Sequence, residues 1–253
     1  MEQYHIKCKP GDVGKYCILP GDPARCELIA SHFENPMLVS SNREFAVYTG
    51  FLGSEKVSVC STGIGGPGAA IAMEELIACG CHTFIRVGTC GGISLKVKSG
   101  DCVIAQSAVR NEGTTKEYAS IEYPATADFD VICALKEAAD DEGKKSHVGV
   151  VQSKDSFYGQ HSPLRMPIRE KLLARWEELK RLNVLCSEME AASLFVVAAT
   201  NNVRCGAVFH VLWNQERKAA GHNEPDDLDT STAVKIAVEA IKKLIMKDKV
   251  VEI

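Results

Sequence analysis

Thr83-Phe84-Ile85-Arg86-Val87-Gly88-Thr89-Cys90-Gly91-Gly92 decides how this chain is read. The apolar run Thr83-Phe84-Ile85 predicts a buried strand, and Arg86 and Thr89 then fall at its mouth. A guanidinium that is always charged, a hydroxyl and glycine-freed backbone amides form a good cradle for an oxyanion. A second stretch of this kind is Leu19-Pro20-Gly21-Asp22-Pro23-Ala24-Arg25, after the short apolar run Tyr16-Cys17-Ile18-Leu19. Two such cradles point to a phosphate or similar anion that is handled chemically.

Working outward, strand-like and helix-like segments alternate. Asp22 can cap a helix that Pro23 opens, running to about His32. Ala46–Tyr48 and Val57–Cys60 read as strands joined around Gly53. A helix is predicted from Pro67 to Cys79, with Ala70, Met73, Leu76 and Ile77 on one face. Strands follow near Thr83–Val87 and Cys102–Ala108, then a helix near Asp128–Glu142 and a strand at His147–Gln152. Helices at Pro167–Leu182 and Glu190–Asn201 precede a strand at Ala207–Trp213. Val234, Val238, Ile241 and Ile245 mark a last amphipathic helix. This order predicts an α/β sandwich on a mixed sheet. No linker or repeat divides the chain, so a single domain over residues 1–253 is expected.

The 253 residues suffice for a large core, and 25% charged residues is ordinary for a globular protein. A net charge of −4 gives no global basic field, so nucleic acid is not an expected partner and any anion site must be a local arginine cluster. No apolar run reaches the roughly 18 residues that span a bilayer, and the N-terminus carries no secretory pattern. The eleven cysteines are scattered through apolar runs, and Cys79-Gly80-Cys81 has the wrong spacing for common zinc sites. Reduced, mostly buried thiols in a cytoplasmic protein are expected.

Gly63-Ile64-Gly65-Gly66-Pro67-Gly68 spells a dinucleotide fingerprint between a strand and a helix. It does not occupy the first strand–helix turn, and the next strand ends in Ile85-Arg86-Val87-Gly88 without the acid that would hold a ribose diol. Close packing of helix and strand, or close approach to a ligand, are the remaining roles for these glycines. Ser187-Glu188-Met189-Glu190 puts two acids at a strand-to-helix junction. Such acids suit either a sugar diol or simply the helix dipole. Asp155-Ser156-Phe157-Tyr158-Gly159-Gln160-His161 brings aromatic faces, an amide and an imidazole to a strand end, where they can serve a heterocycle or the core.

Together these segments resemble the nucleoside phosphorylase family, which includes uridine-cleaving members and hexameric purine-cleaving members. The resemblance covers nearly the whole chain. It rests on Gly21-Asp22-Pro23-Ala24-Arg25, Arg43-Glu44-Phe45, Ser61-Thr62-Gly63-Ile64-Gly65-Gly66-Pro67, Arg86-Val87-Gly88-Thr89, Phe157-Tyr158 and Glu188-Met189-Glu190, in that order. It implies an α/β/α fold around a mixed sheet closed into a distorted barrel. It also implies a homo-oligomer, a hexamer built as a trimer of dimers, whose neighbours complete each other's sites.

The resemblance further implies individual roles. Gly21, Arg25, Arg86 and Thr89 match the phosphate-binding positions, and Arg43 matches the arginine lent by a neighbouring subunit. Glu190 matches the carboxylate on the ribose hydroxyls, with Met189 and Thr89 at the sugar. His5 matches the neighbour's histidine on the 5′ hydroxyl. Arg86, Glu190 and Thr89 would carry the chemistry. Phosphate is then a co-substrate, and no metal or organic cofactor is expected. Glu44 and Ile64 match a monovalent-cation site of some members, but Gly68 replaces its serine ligand.

Base recognition departs from the family pattern. Phe157 matches the aromatic beside the base, and, if one residue is deleted, Gln160 matches the amide of a Gln-x-Arg pair that reads uracil. His161 and Ser162 follow instead, and no arginine aligns. Asn214 stands where purine members carry an acid, and an amide cannot protonate a purine N7. Gln160, His161, Asn214 and Gln215 are the candidate base readers. The expected activity is reversible phosphorolysis of uridine to uracil and ribose 1-phosphate. The alternatives are a 6-oxopurine nucleoside phosphorylase and a non-catalytic nucleoside- or dinucleotide-binding protein.

Overall fold

The computed structural model describes residues 1–251; residues 252–253, the end of the expected 1–253 unit, lie outside the described residues. Its elements run β1 (Tyr16–Leu19), α1 (Ala24–Ala30), β2 (Glu34–Asn42), β3 (Phe45–Leu52), β4 (Glu55–Cys60), α2 (Gly66–Ala78), β5 (Thr83–Gly92) and β6 (Cys102–Asn111). They continue β7 (Ala125–Thr126), α3 (Phe129–Asp141), β8 (Ser146–Lys154), α4 (Phe157–His161), α5 (Arg169–Arg181), β9 (Cys186–Glu188), α6 (Ala191–Thr200), β10 (Arg204–Asn214), α7 (Gln215–Ala219) and α8 (Ser231–Val251).

The strands form one mixed sheet in the order β10-β6-β8-β9-β5-β1-β4-β3-β2, and β5 also pairs with β10. That extra pairing closes β10, β6, β8, β9 and β5 into a five-stranded barrel. The remaining strands extend from it as an open wing. Side chains alternate across β5: Phe84 enters the core beneath α2 and α6, while Ile85 and Val87 enter the core beneath α1, α3 and α8. The sandwich expected from the order of elements is therefore present. Val234, Val238, Ile241 and Ile245 of α8 are all buried, as their spacing requires.

Several boundaries differ from the sequence expectation. Helix α1 stops at Ala30, two residues before His32; Asp22 Oδ1 accepts from the Ala24 amide, while Pro23 occupies the cap position. Strand β2 was not foreseen. Most of its residues are exposed, it carries Pro36, and it lies at the sheet edge, where a missing amide is tolerated. Strand β5 runs five residues beyond Val87 through a glycine-rich stretch, because β10 pairs with it along its whole length, from Thr83 to Gly92.

The partners of β5 on its other side decide where a ligand can sit. Strand β1 pairs with it up to Leu19–Arg86. Strand β9 joins it only at Gly91–Ser187 and Gly92–Cys186. Between them, from Val87 to Cys90, that side of β5 has no ladder partner among the described residues. A sheet that changes partner in this way opens a crevice at its strand ends, the usual location of a site in α/β folds.

Candidate active site

A cleft of ≈ 490 Å³ occupies that crevice. The order β8-β9-β5-β1 sets its two flanks. The segment after β1 supplies Gly21 and Arg25 on one side. The segment after β8 supplies Phe157 and His161 on the other. Arg86 and Thr89 of β5, with Glu188, Met189 and Glu190 around the end of β9, lie between.

Arg86 is the organising side chain. Its Nη2 donates to Glu190 Oε2 over 2.7 Å, and its Nη1 donates to Thr62 Oγ1 over 3.0 Å and to the Leu19 carbonyl over 3.3 Å. Its Nε is buried without a hydrogen-bond partner among the described residues. Glu190 Oε1 accepts from the Gly65 amide at 2.6 Å. The glycine run that spells a dinucleotide fingerprint thus serves the carboxylate. Gly21 packs against the guanidinium: a Cβ there would lie 3.2 Å from Arg86 Nη2 and 3.1 Å from the Gly63 carbonyl oxygen. Only glycine lets this backbone approach so closely without pushing Arg86 aside.

Charge gathers on the β1 flank. Burial, and then the nearby charge of Arg86, pull the pKa of Arg25 below its ordinary value. Two guanidiniums that repel each other in a half-enclosed cleft are an arrangement that a bound polyanion relieves. On the opposite flank, His161 packs against Phe157 with centroids 4.3 Å apart and planes tilted by 41°, and meets Trp213 edge-on at 5.7 Å. Burial, with Lys154 second, pushes the pKa of His161 down. Phe157 is 42% exposed, leaving ring surface open.

Glu188 turns inward. Its Oε2 accepts from the amides of Glu190 at 2.7 Å and Ala191 at 2.9 Å, and Ser153 Oγ donates to its Oε1. Burial, and then the charge of Glu190, push its carboxyl up to about 7. The two acids of this segment therefore have different occupations: Glu188 ties the loop, and Glu190 faces Arg86.

The cleft brings together Gly21, Arg25, Arg86, Thr89, Phe157, His161, Met189 and Glu190 from the sequence candidates. Others lie elsewhere. Gln160 and Gln215 line a second cavity of ≈ 360 Å³, and Gln160 Oε1 accepts from Ser187 Oγ at 2.7 Å. Asn214 lines neither cavity. Its Oδ1 caps α7 by accepting from Glu216 and Arg217, and its Nδ2 donates to the carbonyls of Ser94 and Val97. Arg43 is exposed in the turn between β2 and β3, at a φ of 55°. His5 binds Glu75 of α2 through Nδ1 at 2.7 Å. Neither Arg43 nor His5 lines the cleft of its own chain. A Cβ at Gly68 would fall 2.4 Å from the Thr62 carbonyl oxygen, so a serine at this position does not fit without movement. Sequence reasoning missed Lys154, a buried cation that lines both cavities.

The sequence profile described as Phosphorylase superfamily matches residues 15–247, which holds every element from β1 onward except the last residues of α8. The chain belongs to this superfamily. It is 53% identical to a uridine phosphorylase of Treponema pallidum (strain Nichols), over 97% of this chain and 95% of that one. It is 39% identical to a uridine phosphorylase of Escherichia coli (strain K12), over 96% and 98%. A guanosine phosphorylase of Halorubrum lacusprofundi is 38% identical, over 90% and 89%. As a superfamily member, the chain has the mixed α/β fold with a closed barrel that the sequence resemblance implied. No helix among the described residues is long and apolar enough to cross a membrane.

Proposed function

We propose that this chain is a pentosyltransferase that catalyses the reversible phosphorolysis of uridine to uracil and ribose 1-phosphate in pyrimidine nucleoside salvage. The observation that carries this is the buried Arg86–Glu190 pair, set between an arginine flank and an aromatic flank in a chain 53% identical to a uridine phosphorylase. Gly21, Arg25, Arg86 and Thr89 hold phosphate. Glu190 accepts from the ribose 2′ and 3′ hydroxyls, with Met189 against the sugar. Phe157 and His161 border the base.

The chemistry follows from charge. A phosphate oxygen forms the bond to C1′ as the C1′–N1 bond breaks, and the electron pair of that bond moves onto the base. Positive charge builds on the ribose and is stabilised by phosphate below it and by the Glu190 carboxylate beside it. The protein contributes position and fixed charge, with no covalent intermediate on a side chain.

The whole chain, residues 1–253, acts as one nucleoside phosphorylase domain within a homo-hexamer. Arg43 reaches a neighbour's phosphate and His5 a neighbour's 5′ hydroxyl. The exposure of Arg43 and its distance from its own cleft support this shared arrangement. A cytoplasmic setting is supported by the eleven cysteines, all free thiols, of which only Cys133 is not fully buried.

The test is release of free base from uridine, inosine and guanosine, with and without phosphate. Uracil release that requires phosphate, with uridine ahead by at least about tenfold in kcat/KM, is the expected result. The guanosine phosphorylase relative makes purine phosphorolysis the second reading, and a clear preference for inosine or guanosine would replace uridine with it. No release from any of the three would leave a non-catalytic nucleoside-binding protein.

A further inference from the structure

Uridine phosphorolysis makes a demand at the base as well as at the sugar. When the C1′–N1 bond breaks, its electron pair moves onto N1, and the negative charge spreads to the two carbonyl oxygens of uracil. A cation or strong donor at those oxygens lowers the barrier. Arg25 and Arg86 gather at the β1 flank and at β5, away from the aromatic flank. The arginine that would complete a Gln-x-Arg pair is not in the sequence, where Ser162 follows His161.

Lys154 is the last residue of β8 and lines the cleft on the same flank as Phe157 and His161. It is 7% exposed. Its ammonium has three donors, and one goes to Ser187 Oγ at 2.8 Å. Among the described residues its Nζ forms no ion pair, and its hydrogen bond goes to a hydroxyl. The face of Phe157 lies 6.0 Å away. A buried ammonium with open donors and no carboxylate in direct contact is costly unless something anionic meets it. Ser187, which takes the one bond, passes its own hydrogen to Gln160 Oε1. Lys154 is thereby held at the wall between the two cavities.

We propose that Lys154 is the cation for the departing base, donating to a uracil carbonyl oxygen in place of the family's arginine. This rests on the uridine assignment above. The step balances without another reactant. Phosphate oxygen bonds to C1′, the C1′–N1 pair goes to uracil, Lys154 keeps its proton, and the uracil anion takes one from water after leaving. Burial lowers the pKa of Lys154, and the nearby acids Glu188 and Glu190 oppose that shift.

The experiment compares wild type, Lys154→Met and Lys154→Arg on uridine and on 5-fluorouridine. Fluorine already stabilises the base anion, so a missing cation matters less for that substrate. Lys154→Met is expected to lose at least about tenfold in kcat/KM on uridine, the scale of one hydrogen bond to a charged group. It should lose several-fold less on 5-fluorouridine and keep the phosphate KM of the wild type. Lys154→Arg should regain uridine activity. Equal losses on both nucleosides, a raised phosphate KM, or no loss at all would overturn the assignment of Lys154. If Lys154→Met does not melt cooperatively, Lys154→Gln, which retains a donor to Ser187 without the charge, is judged by the same outcomes. Wild type that releases no uracil from uridine in phosphate would instead remove the uridine assignment itself.

Discussion

Arg86 Nη2 and Glu190 Oε2 lie 2.7 Å apart, and both side chains are almost wholly buried. In the proposed reaction these two residues serve opposite charges, phosphate for Arg86 and the cationic ribose for Glu190. Their bond fixes the two functions at a set separation. It also ties β5 to the start of α6 and, through the Gly65 amide, to the start of α2.

Removing one partner strands the other. Arg86→Ala should cost about 3–5 kcal/mol of stability by leaving Glu190 buried and unpaired. It should also lower kcat/KM by about 10- to 100-fold through the lost charge-assisted contact with phosphate. The double variant Arg86→Met, Glu190→Leu removes both charges and should recover most of the stability while remaining inactive. Urea denaturation and phosphate titration separate the two effects. A double variant as unstable as Arg86→Ala would show that the ion pair is not what the single change disrupts.

Glu188 makes stability depend on pH. Its folded carboxyl is raised from an ordinary 4.5 to about 7, chiefly by burial and then by the charge of Glu190. The folded chain therefore binds this proton more tightly than the unfolded chain. The stability it contributes is complete below about pH 4.5 and is lost as pH rises through about 7. Glu188→Gln keeps an oxygen for the Glu190 and Ala191 amides and turns its amide nitrogen to Ser153 Oγ, so it should flatten this trend. Thermal midpoints measured from about pH 5 to about pH 8 decide it. Parallel curves for the two proteins would mean that Glu188 does not bear the shift.

Asn214→Asp tests the difference between a base reader and a cap. An aspartate still caps α7, but it loses both donors to the Ser94 and Val97 carbonyls, each at 2.8 Å. The expected loss is about 1–3 kcal/mol per stranded buried acceptor, with no gain in purine cleavage. A rise in kcat/KM for inosine or adenosine would return this position to the base.

Shared sites predict complementation. Arg43→Ala and Arg86→Ala chains are each impaired, yet mixing them should form hybrid assemblies with some intact sites. Activity of the mixture above the mean of the separate proteins is the expected result. A fully active monomer by sedimentation would rule out the exchange of Arg43 between subunits.

Periodicity made α2 and α8 legible, because each repeats apolar residues on one face, whereas α6 is apolar and buried all round. It failed where pairing rather than burial makes the strand. Gly88–Gly92 looks like a loop because glycine has no side chain to show a pattern, and pairing with β10, joined by β9 at Gly91 and Gly92, holds it extended. Strand β9 is three residues long and β2 is an exposed edge. At the site, residues beside glycines or acids were visible: Gly21, Arg25, Arg86, Thr89, Met189 and Glu190. Lys154 was not, since a lysine at a strand end reads as solvated and only tertiary packing, with Ser187 and Phe157 among its neighbours, buries it. Gln160, Gln215 and Asn214 show the reverse limit. Neighbourhood in sequence brought them near the base segment, but their side chains turn to a second cavity or to a cap.

The partner change along β5 has a mechanical consequence. From Val87 to Cys90 the open wing and the barrel are not laddered together on that side, so β1 and β9 meet only across the cleft. A nucleoside and phosphate lying there would touch groups carried by both strands and act as a clasp between wing and barrel. Local opening of either half would then require releasing the ligand. Amide hydrogen exchange in β1 and β9, two strands that share no hydrogen bond, would slow together on binding.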